Sequence, residues 1–282
     1  PIVGVMSTPA EAVNGTAAYL TICFMGIPFI TAYNISVVVS LFVILKRKSI
    51  SLTKCDFHPC RPVIGQILQI GIPIALQDGL IQIAFIVITV IANRRGLNDA
   101  AAVGIVEKII GFLFLVPSSM LSAVSALGAQ NIGAGKPERA VQTLRYAICI
   151  TVCFGFSVCI GVQFCAERIV ALFTDQQAAG GTEVIRLGGE YLRGYILDCV
   201  FAGIHFSFSG YFCACGKSLL SFLHNISSVV LVRVPVSYLT SLLFPTTLFP
   251  MGLASAGGSL LSVLLCIIFY FAFFRRHETA VL

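Results

Sequence analysis

Charged residues are scarce in this sequence. Asp, Glu, Lys and Arg make up only 11% of its 282 residues, whereas roughly 25% is usual for a soluble domain. Hydrophobic residues make up 57%, and the mean hydropathy is +0.96. So little charge cannot cover the water-facing surface of a soluble globular protein of this size. The composition therefore predicts an integral membrane protein whose outer surface contacts lipid.

The chain also lacks a complete nucleotide-binding loop. The stretch GAQNIGAGKPERA, at 128–140, has the glycines and the lysine of a phosphate-binding loop. The motif G-x-x-x-x-G-K-[ST] would require glycine where the chain has Gln130 and a hydroxyl residue where it has Pro137. We therefore interpret the glycines as the end of one membrane helix. Pro137 then lies in the first turn of the next helix, where its missing N–H costs little.

Sets of metal ligands or catalytic residues are missing from the sequence as well. Most of the 11 cysteines lie inside apolar runs, where cysteine behaves as a small apolar side chain. Cys55, His58 and Cys60 form the one cluster outside such a run, and they lack a fourth ligand and the spacing of a zinc knuckle. No Cys/His, Ser/His or paired-carboxylate set converges at one depth. We predict that the chain is not an enzyme, holds no cofactor or metal, and binds no nucleic acid.

Seven apolar stretches are long enough to cross about 30 Å of hydrocarbon as helices. Short polar or glycine-rich loops separate them, and the first stretch is longer than one simple span. The sequence therefore predicts an all-α, polytopic membrane bundle of about seven transmembrane helices. The stretches lie at 17–45, 69–93, 101–127, 144–172, 189–214, 219–244 and 250–274.

Lysine and arginine fall mainly on one side of this predicted topology. If the loop at 46–62 is cytoplasmic, eleven of the 18 Lys and Arg residues lie on the cytoplasmic side and five on the outer side. Because positively charged loops tend to stay in the cytoplasm, the asymmetry predicts an outer N-terminus and a cytoplasmic C-terminus. We expect a multi-pass protein of the cell (inner) membrane, with the lipid bilayer as its surroundings.

Four stretches of the sequence resemble segments of the multidrug and toxic compound extrusion (MATE) transporters. GIPIALQDGL, at 71–80, resembles the opening of that family's seventh helix. NDAAAVGIVEKIIGFLFLVPSSM, at 98–120, resembles the start of its eighth helix, and SALGAQNIGAGKPERA, at 125–140, resembles the segment after it. VRVPVSYLTSLLF, at 232–244, is similar to the eleventh helix. The order and spacing of these stretches agree with the family's C-terminal lobe.

The resemblance implies a division of the chain into two parts. Residues 62–282 correspond to a six-helix C-terminal lobe. Residues 1–61 resemble a remnant of the N-terminal lobe, in which helix four runs directly into the end of helix six, followed by a cytoplasmic loop. The chain is thus expected to be a truncated, internally deleted transporter, and a second chain could complete a two-lobed assembly.

Asp198 and Arg233 are ionisable residues within two consecutive spans. Such residues are costly in a membrane and usually have a function. The hairpin between the two spans turns at 215–216, and both residues are equally distant from that turn along the chain. We therefore predict that they meet or share a water molecule. The pair could couple transport to a cation, as the matching aspartate does in many MATE members, or it could be a static ion pair; we expect a structural role for Arg233.

The second predicted span carries Gln77, Asp78 and Gln82. Asp78 and Gln82 are four residues apart and so share one face of a helix. Some members of the family carry a cation-binding glutamate near 81 or 82, where this chain has Ile81 and Gln82. The resemblance therefore does not extend to that carboxylate. Asp78 could replace it one turn earlier, or it could lie at the cytoplasmic mouth.

Glu107, Lys108 and His205 complete the set of candidate pathway residues. Glu107 and Lys108 lie about two turns into the third span, where they could pair with neighbours or line the outer mouth. Lys108 could also extend its ammonium group to the membrane surface. His205 lies inward of Asp198, and it could relay protons or simply be a hydrogen-bonded core residue.

The sequence leaves several functions open. The leading hypothesis is secondary efflux of organic compounds, expected to be cationic, in exchange for protons or sodium between two lobes. Alternatives are a non-transporting remnant and a lipid-linked oligosaccharide flippase of the same superfamily. A flippase should line its cavity with several basic residues, but the predicted membrane interior holds only Lys108 and Arg233. The 22 phenylalanines could supply apolar walls for varied small organic substrates.

Overall fold

The computed structural model describes residues 61–174 and 180–273, together with the separate positions 35, 38, 39 and 42. Contacts divide the chain into the units Pro1–Arg61 and Pro62–Leu282. The predicted span at 17–45 is described only at the four separate positions, which are helical and exposed. The rest of that span and the Cys55, His58 and Cys60 cluster lie outside the described residues.

The described part of the second unit is helical and has no strand. One of its helices contains a π-helical turn, Val229–Arg233, between two α-helical segments. The helices in chain order are α1 (Arg61–Arg95), α2 (Leu97–Leu113), α3 (Leu115–Gly133), α4 (Pro137–Ala171), α5 (Gly181–Tyr195), α6 (Asp198–Ala214), α7 (Ser218–Ser228), α8 (Val234–Leu243) and α9 (Phe249–Phe273).

These helices form six candidate membrane spans among the described residues. Four are long enough individually: α1, α4, α9, and α7 continued through the π turn into α8. The other two are the pairs α2–α3 and α5–α6, each of which passes the length and hydropathy test as one span with a 42° bend. The prediction of an all-α polytopic bundle is confirmed, with six of the seven predicted spans in the described region.

The spans predicted at 101–127 and 189–214 each contain a bend. The first bends at Phe114 because Pro117 has no N–H to donate to the carbonyl of Leu113, and its ring crowds that carbonyl. The second bends after Tyr195, where the carbonyl of Ile196 accepts a 3.0 Å hydrogen bond from the Cys199 N–H in a tighter turn. The bend makes Asp198 the first residue of α6.

A proline also explains the π turn between α7 and α8. Pro235 lies just after Val229–Arg233 and cannot donate the backbone hydrogen bond of a regular helix. The helix accommodates the proline with a wider turn, a feature that often occurs at functional sites. Arg233 is the last residue of this turn.

The glycine-rich stretch at 128–140 is a tight turn, as predicted. Helix α3 ends at Gly133, and Pro137 is the first residue of α4. Gly135 has φ +72°, and the Lys136 N–H donates to the Asn131 carbonyl at 2.9 Å. This is the Schellman arrangement, in which glycine avoids the penalty of a left-handed backbone. We call this side of the bundle, with the turn at 215–217, the Lys136 end.

The opposite side of the bundle, the Arg95 end, is held by one arginine. The Nε of Arg95 donates to Asp99 at 2.9 Å. A guanidinium can make several such bonds at once because its donors form a rigid planar fork. The two Nη atoms donate at 2.9–3.3 Å to the backbone carbonyl oxygens of Ser241, Phe244, Pro245 and Thr247.

Close helix packing near the Arg95 end depends on glycine. Gly194 on α5 faces the backbone of α9, and Gly252 on α9 faces the backbone of α5. A Cβ atom at Gly252 would collide with the carbonyl oxygen of Tyr191, and one at Gly194 would collide with that of Phe249. Small residues let membrane helices approach closely where no hydrophobic force draws them together. This contact fixes α5, and with it the bend that leads to Asp198.

Candidate functional site

Asp198 and Arg233 form a buried ion pair. The Nη2 of Arg233 donates to Oδ2 of Asp198 at 2.7 Å, which confirms the prediction that the two residues meet. The Asp198 side chain is fully buried, whereas 11% of the Arg233 side chain is exposed. The bend before α6 positions the carboxylate, and the π turn before α8 positions the guanidinium.

The ion pair leaves some of its polar atoms without partners. Within the described residues, Oδ1 of Asp198 and Nε of Arg233 make no hydrogen bond although both atoms are buried. Removing one partner of a buried pair is much more costly than keeping both, because the remaining charge stays buried without compensation. The pair therefore holds α6 to the π turn strongly.

A cavity of about 480 Å³ lies beside the ion pair. It is lined by four of the predicted pathway residues, Gln82, Glu107, His205 and Arg233, which come from four different helical segments. Asp198 is not among the lining residues, so Arg233 presents the pair to the cavity. Lys108 and Asn225 add further polar groups, and aromatic walls come from Phe85, Phe114, Tyr195 and Phe206.

Glu107 is the acidic residue among those that line the cavity. Its side chain is half-buried, and Lys108 beside it is exposed. Thr89 on α1 places its hydroxyl oxygen 3.4 Å and 3.5 Å from the two carboxylate oxygens of Glu107 on α2. The same Thr89 hydroxyl is 2.9 Å from the Phe85 carbonyl oxygen on its own helix. Glu107 is thus held by a hydroxyl rather than by an ion pair.

Gln77 and Asp78 lie away from the cavity. Gln77 is buried, and its Oε1 accepts a 2.8 Å hydrogen bond from the Ser221 hydroxyl on α7. Asp78 is exposed on the other side of α1. Gln82 shares the exposed face of Asp78, but only Gln82 lines the cavity. The geometry separates these three residues, which lie within six positions of one another in the sequence.

His205 and His224 form a buried pair of rings next to the cavity. Their centroids are 5.7 Å apart, and His205 lines the cavity while His224 lies behind it. His224 is not among the predicted pathway residues, because a single histidine in an apolar run gives no local signal. The distance from the 215–216 turn would have helped, since Ser209 and His224 lie within about one helical turn of the same depth.

Hydrogen bonds determine which nitrogen of His224 carries the proton. Its Nε2 lies 2.8 Å from the Ser209 hydroxyl, and its Nδ1 lies 3.2 Å from the Ser262 hydroxyl. Ser262 donates its one hydrogen to the His224 carbonyl oxygen at 3.2 Å. Nδ1 must therefore donate to Ser262, and in a neutral ring Nε2 then accepts from Ser209. His224 thus links α6, α7 and α9.

The described residues offer no group of three or more His, Cys, Asp or Glu side chains that could hold a metal ion. The cavity holds acidic, basic, amide and hydroxyl groups against aromatic walls. This combination is suited to binding a small organic molecule.

A model of the MatE family matches residues 73–239. The chain belongs to the MatE family. The matched region contains every predicted pathway residue, from Gln77 to Arg233, as well as Thr89 and His224. The predicted resemblance to MATE transporters is therefore confirmed, and the six candidate spans of this MatE chain identify it as a multi-pass membrane protein.

Two named relatives cover most of this MatE chain. It is 24% identical over 225 residues to the probable multidrug resistance protein YpnP of Bacillus subtilis, and the aligned region covers 80% of this chain and 47% of that protein. It is 26% identical over 226 residues to the FAD transporter of Shewanella oneidensis, and that aligned region covers 75% of this chain and 48% of the transporter. The chain thus spans about half the length of these relatives.

Solved MATE structures share the fold of this MatE chain. A crystal structure of MATE in complex with MaL6 superposes with a TM-score of 0.75 at 20% identity, over 84% of this chain and 54% of that one. The outward-facing conformation of a multidrug resistance MATE family transporter gives a TM-score of 0.74 at 21% identity, over 84% of this chain and 53% of that one. At this level of identity, the likeness concerns the fold.

Proposed function

We propose that this MatE chain is the C-terminal lobe of a secondary transporter that exports organic, mainly cationic compounds in exchange for protons or sodium. The main support for this proposal is the cavity of about 480 Å³, which is lined by Glu107, His205 and Arg233 inside a membrane bundle. Ionisable residues that face a cavity at membrane depth commonly mark a path for a substrate or an ion.

The cavity lining supports a cationic organic cargo. Glu107 supplies a negative charge and is absent from the ion pairs among the described residues. Four aromatic side chains supply flat apolar surface and can interact with a cation through their ring faces. Arg233 is neutralised by Asp198, so its charge does not strongly oppose a cation.

The same lining disfavours a carrier of lipid-linked oligosaccharides. A diphosphate headgroup calls for several uncompensated basic groups. The cavity has two, Lys108 and Arg233, and the second is already paired with Asp198. Export of small organic molecules therefore fits the cavity better than lipid flipping.

The lobe is expected to work with a second lobe and in a defined orientation in the membrane. Secondary transporters of this plan bind cargo between two repeats, which rock against each other. Because the chain spans about half the length of its relatives, we infer that a second chain, which can be another copy of this one, completes the cargo path. We place the protein in the cell membrane with its Lys136 end and its C-terminus on the cytoplasmic side, in agreement with the bias of Lys and Arg.

Ethidium accumulation in an efflux-deficient host tests the proposed function. Cells that express the chain should accumulate less ethidium than cells that carry the empty vector, and a proton uncoupler or the removal of sodium should abolish the difference. Membrane insertion of the chain must be verified by fractionation. Equal ethidium accumulation with the inserted chain and with the empty vector would support the non-transporting alternative.

A further inference from the structure

Two acidic residues lie close to the cavity, but only one of them is accessible from it. Asp198 is fully buried, is bonded to Arg233, and does not line the cavity. From the cavity, a proton or metal cation meets Arg233 rather than Asp198, and displacement of Arg233 would leave a buried charge unpaired, which is costly. Glu107 lines the cavity directly and forms no ion pair with a described residue.

We propose that Glu107, in contact with Thr89, is the site that takes up and releases the coupling proton, and that the Asp198–Arg233 pair is a static link. This inference rests on the proposed function and names the group that performs its coupling step. Proton uptake converts the Glu107 carboxylate to a carboxylic acid, and proton release restores the negative charge that attracts a cationic cargo. Proton and cargo then alternate at one cavity.

The Thr89 hydroxyl can form a hydrogen bond with either the charged or the protonated form of Glu107. A threonine hydroxyl has one hydrogen and two lone pairs. When Glu107 is charged, the hydroxyl can turn its hydrogen toward the carboxylate, 3.4 Å and 3.5 Å away. When Glu107 is protonated, the hydroxyl can instead donate to the Phe85 carbonyl oxygen at 2.9 Å and accept from the acid. Neither form of Glu107 is left without a partner.

The Thr89–Glu107 contact also connects two helices. Thr89 belongs to α1 and Glu107 to α2, and the two helices are separated by the chain reversal at Gly96. A change of charge at Glu107 therefore changes a contact between two walls of the cavity. This gives proton binding a direct physical route to the shape of the cargo site.

The other titratable or charged groups around Glu107 come from several elements. Lys108 lies next to it on α2. Across the cavity are Arg233 from the π turn, His205 from α6 and Tyr195 from α5, and Tyr191 lies close enough on α5 to interact electrostatically. Arg233 is engaged by Asp198, and the tyrosines are neutral near pH 7. Glu107 is thus the acidic group that can titrate at this cavity without breaking an ion pair.

The number of ligands favours a proton over sodium. Hard cations are held by several oxygen ligands, whereas a proton needs one carboxylate and a hydrogen-bond partner. The described hydrogen bonds of Glu107 bring one further oxygen to its carboxylate, that of the Thr89 hydroxyl, which also bonds to Phe85. Sodium coupling is the competing outcome of the experiment.

Ethidium transport in proteoliposomes tests this assignment. The unaltered chain is compared with Glu107→Gln, Glu107→Asp and the control Glu138→Gln, an exposed glutamate in the first turn of α4, away from the cavity. Each protein is assayed for uptake driven by a proton gradient, uptake driven by a sodium gradient, and ethidium–ethidium exchange without a gradient. Thermal unfolding in detergent checks that each variant is folded.

The proposal predicts that Glu107→Gln loses proton-driven uptake at least tenfold and also weakens exchange, because the permanently neutral side chain resembles the protonated form, which does not attract a cationic cargo. Glu107→Asp and Glu138→Gln should retain proton-driven uptake. Thr89→Val should shift the pH dependence toward higher pH, because the charged carboxylate loses more from a missing donor than the neutral acid does.

The possible failures can be distinguished. Absence of both uptake and exchange in the unaltered chain would contradict the proposed function, on which this inference rests. Proton-driven uptake that persists in Glu107→Gln, or uptake driven by sodium alone, would overturn the Glu107 assignment and leave the proposed function in place. Exchange by the unaltered chain that does not weaken as the pH falls would show that no proton competes with the cargo at Glu107, which also overturns the assignment.

Discussion

Arg233 donates a 2.7 Å hydrogen bond to Asp198 and lines a cavity that Asp198 does not reach. The acidic residue that most attracts attention in the sequence is therefore the less accessible one in the structure. This relationship is the basis for our proposal that the Asp198–Arg233 pair is a static link. It also moves the question of cation coupling to Glu107.

The ion pair should make a large contribution to stability when only one partner is removed. We expect Asp198→Asn to lower the free energy of unfolding by about 3 kcal/mol or more, since it leaves the Arg233 charge buried without compensation. The double variant Asp198→Asn with Arg233→Met should be more stable than the Asp198→Asn single variant. Thermal unfolding in detergent measures both effects. The Arg233→Met single variant completes the comparison. If the double variant loses as much free energy of unfolding as the two single variants together, the two partners act independently.

Replacement of His224 should disturb a link among three helices. His224→Phe leaves the hydroxyls of Ser209 and Ser262 without their ring partners, so we expect a loss of about 1–3 kcal/mol. His205→Phe should cost less, because the Nδ1 of His205 has no described hydrogen-bond partner. Denaturant unfolding compares the two variants. An equal loss for both would argue that ring packing, rather than hydrogen bonding, is the main role of His224.

Nitrogen chemical shifts provide an independent test of the His224 hydrogen bonds. The contact with Ser262 requires a proton on Nδ1, and in a neutral ring Nε2 then accepts from Ser209. Specifically labelled protein should show that tautomer near pH 7. A ring protonated on Nε2 would contradict the assigned donor roles.

The contact between α5 and α9 should tolerate no side chain at Gly252. A Cβ atom there would collide with the Tyr191 carbonyl oxygen, so we expect Gly252→Ala to cost roughly 1–3 kcal/mol. Gly257 on the same helix is a matched control, since a Cβ atom there would meet only the Val232 side chain at 3.5 Å, an ordinary contact. Comparable thermal stability of Gly252→Ala and Gly257→Ala would contradict the close crossing.

Arg95 should not be replaceable by lysine. Its fork reaches Asp99 and four backbone carbonyl oxygens in the connection between α8 and α9. One ammonium group cannot make all of these bonds, so Arg95→Lys should increase protease cleavage within 243–249. Limited proteolysis followed by mass spectrometry measures this. An unchanged cleavage pattern would show that the connection is held without the guanidinium.

The sequence was sufficient to predict what depends on regular helix geometry. The constant rise of two helices in one hairpin placed Asp198 opposite Arg233, and the pattern of glycine and proline placed the turn before Pro137. Hydropathy could not reveal the bends, because a bent span and a straight one have the same composition. The sequence also could not predict which acidic side chain is accessible from the cavity, because whether Asp198 or Glu107 faces it depends on packing among several helices.

The central claim is that a proton and a cationic cargo compete at Glu107, and proton release on cargo binding tests it most directly. Ethidium is added to purified protein in weakly buffered detergent solution, and a pH indicator records the protons released. We predict release in proportion to bound ethidium in the unaltered chain, and none in Glu107→Gln. Ethidium binding without proton release in the unaltered chain, or equal release in Glu107→Gln, would contradict the account.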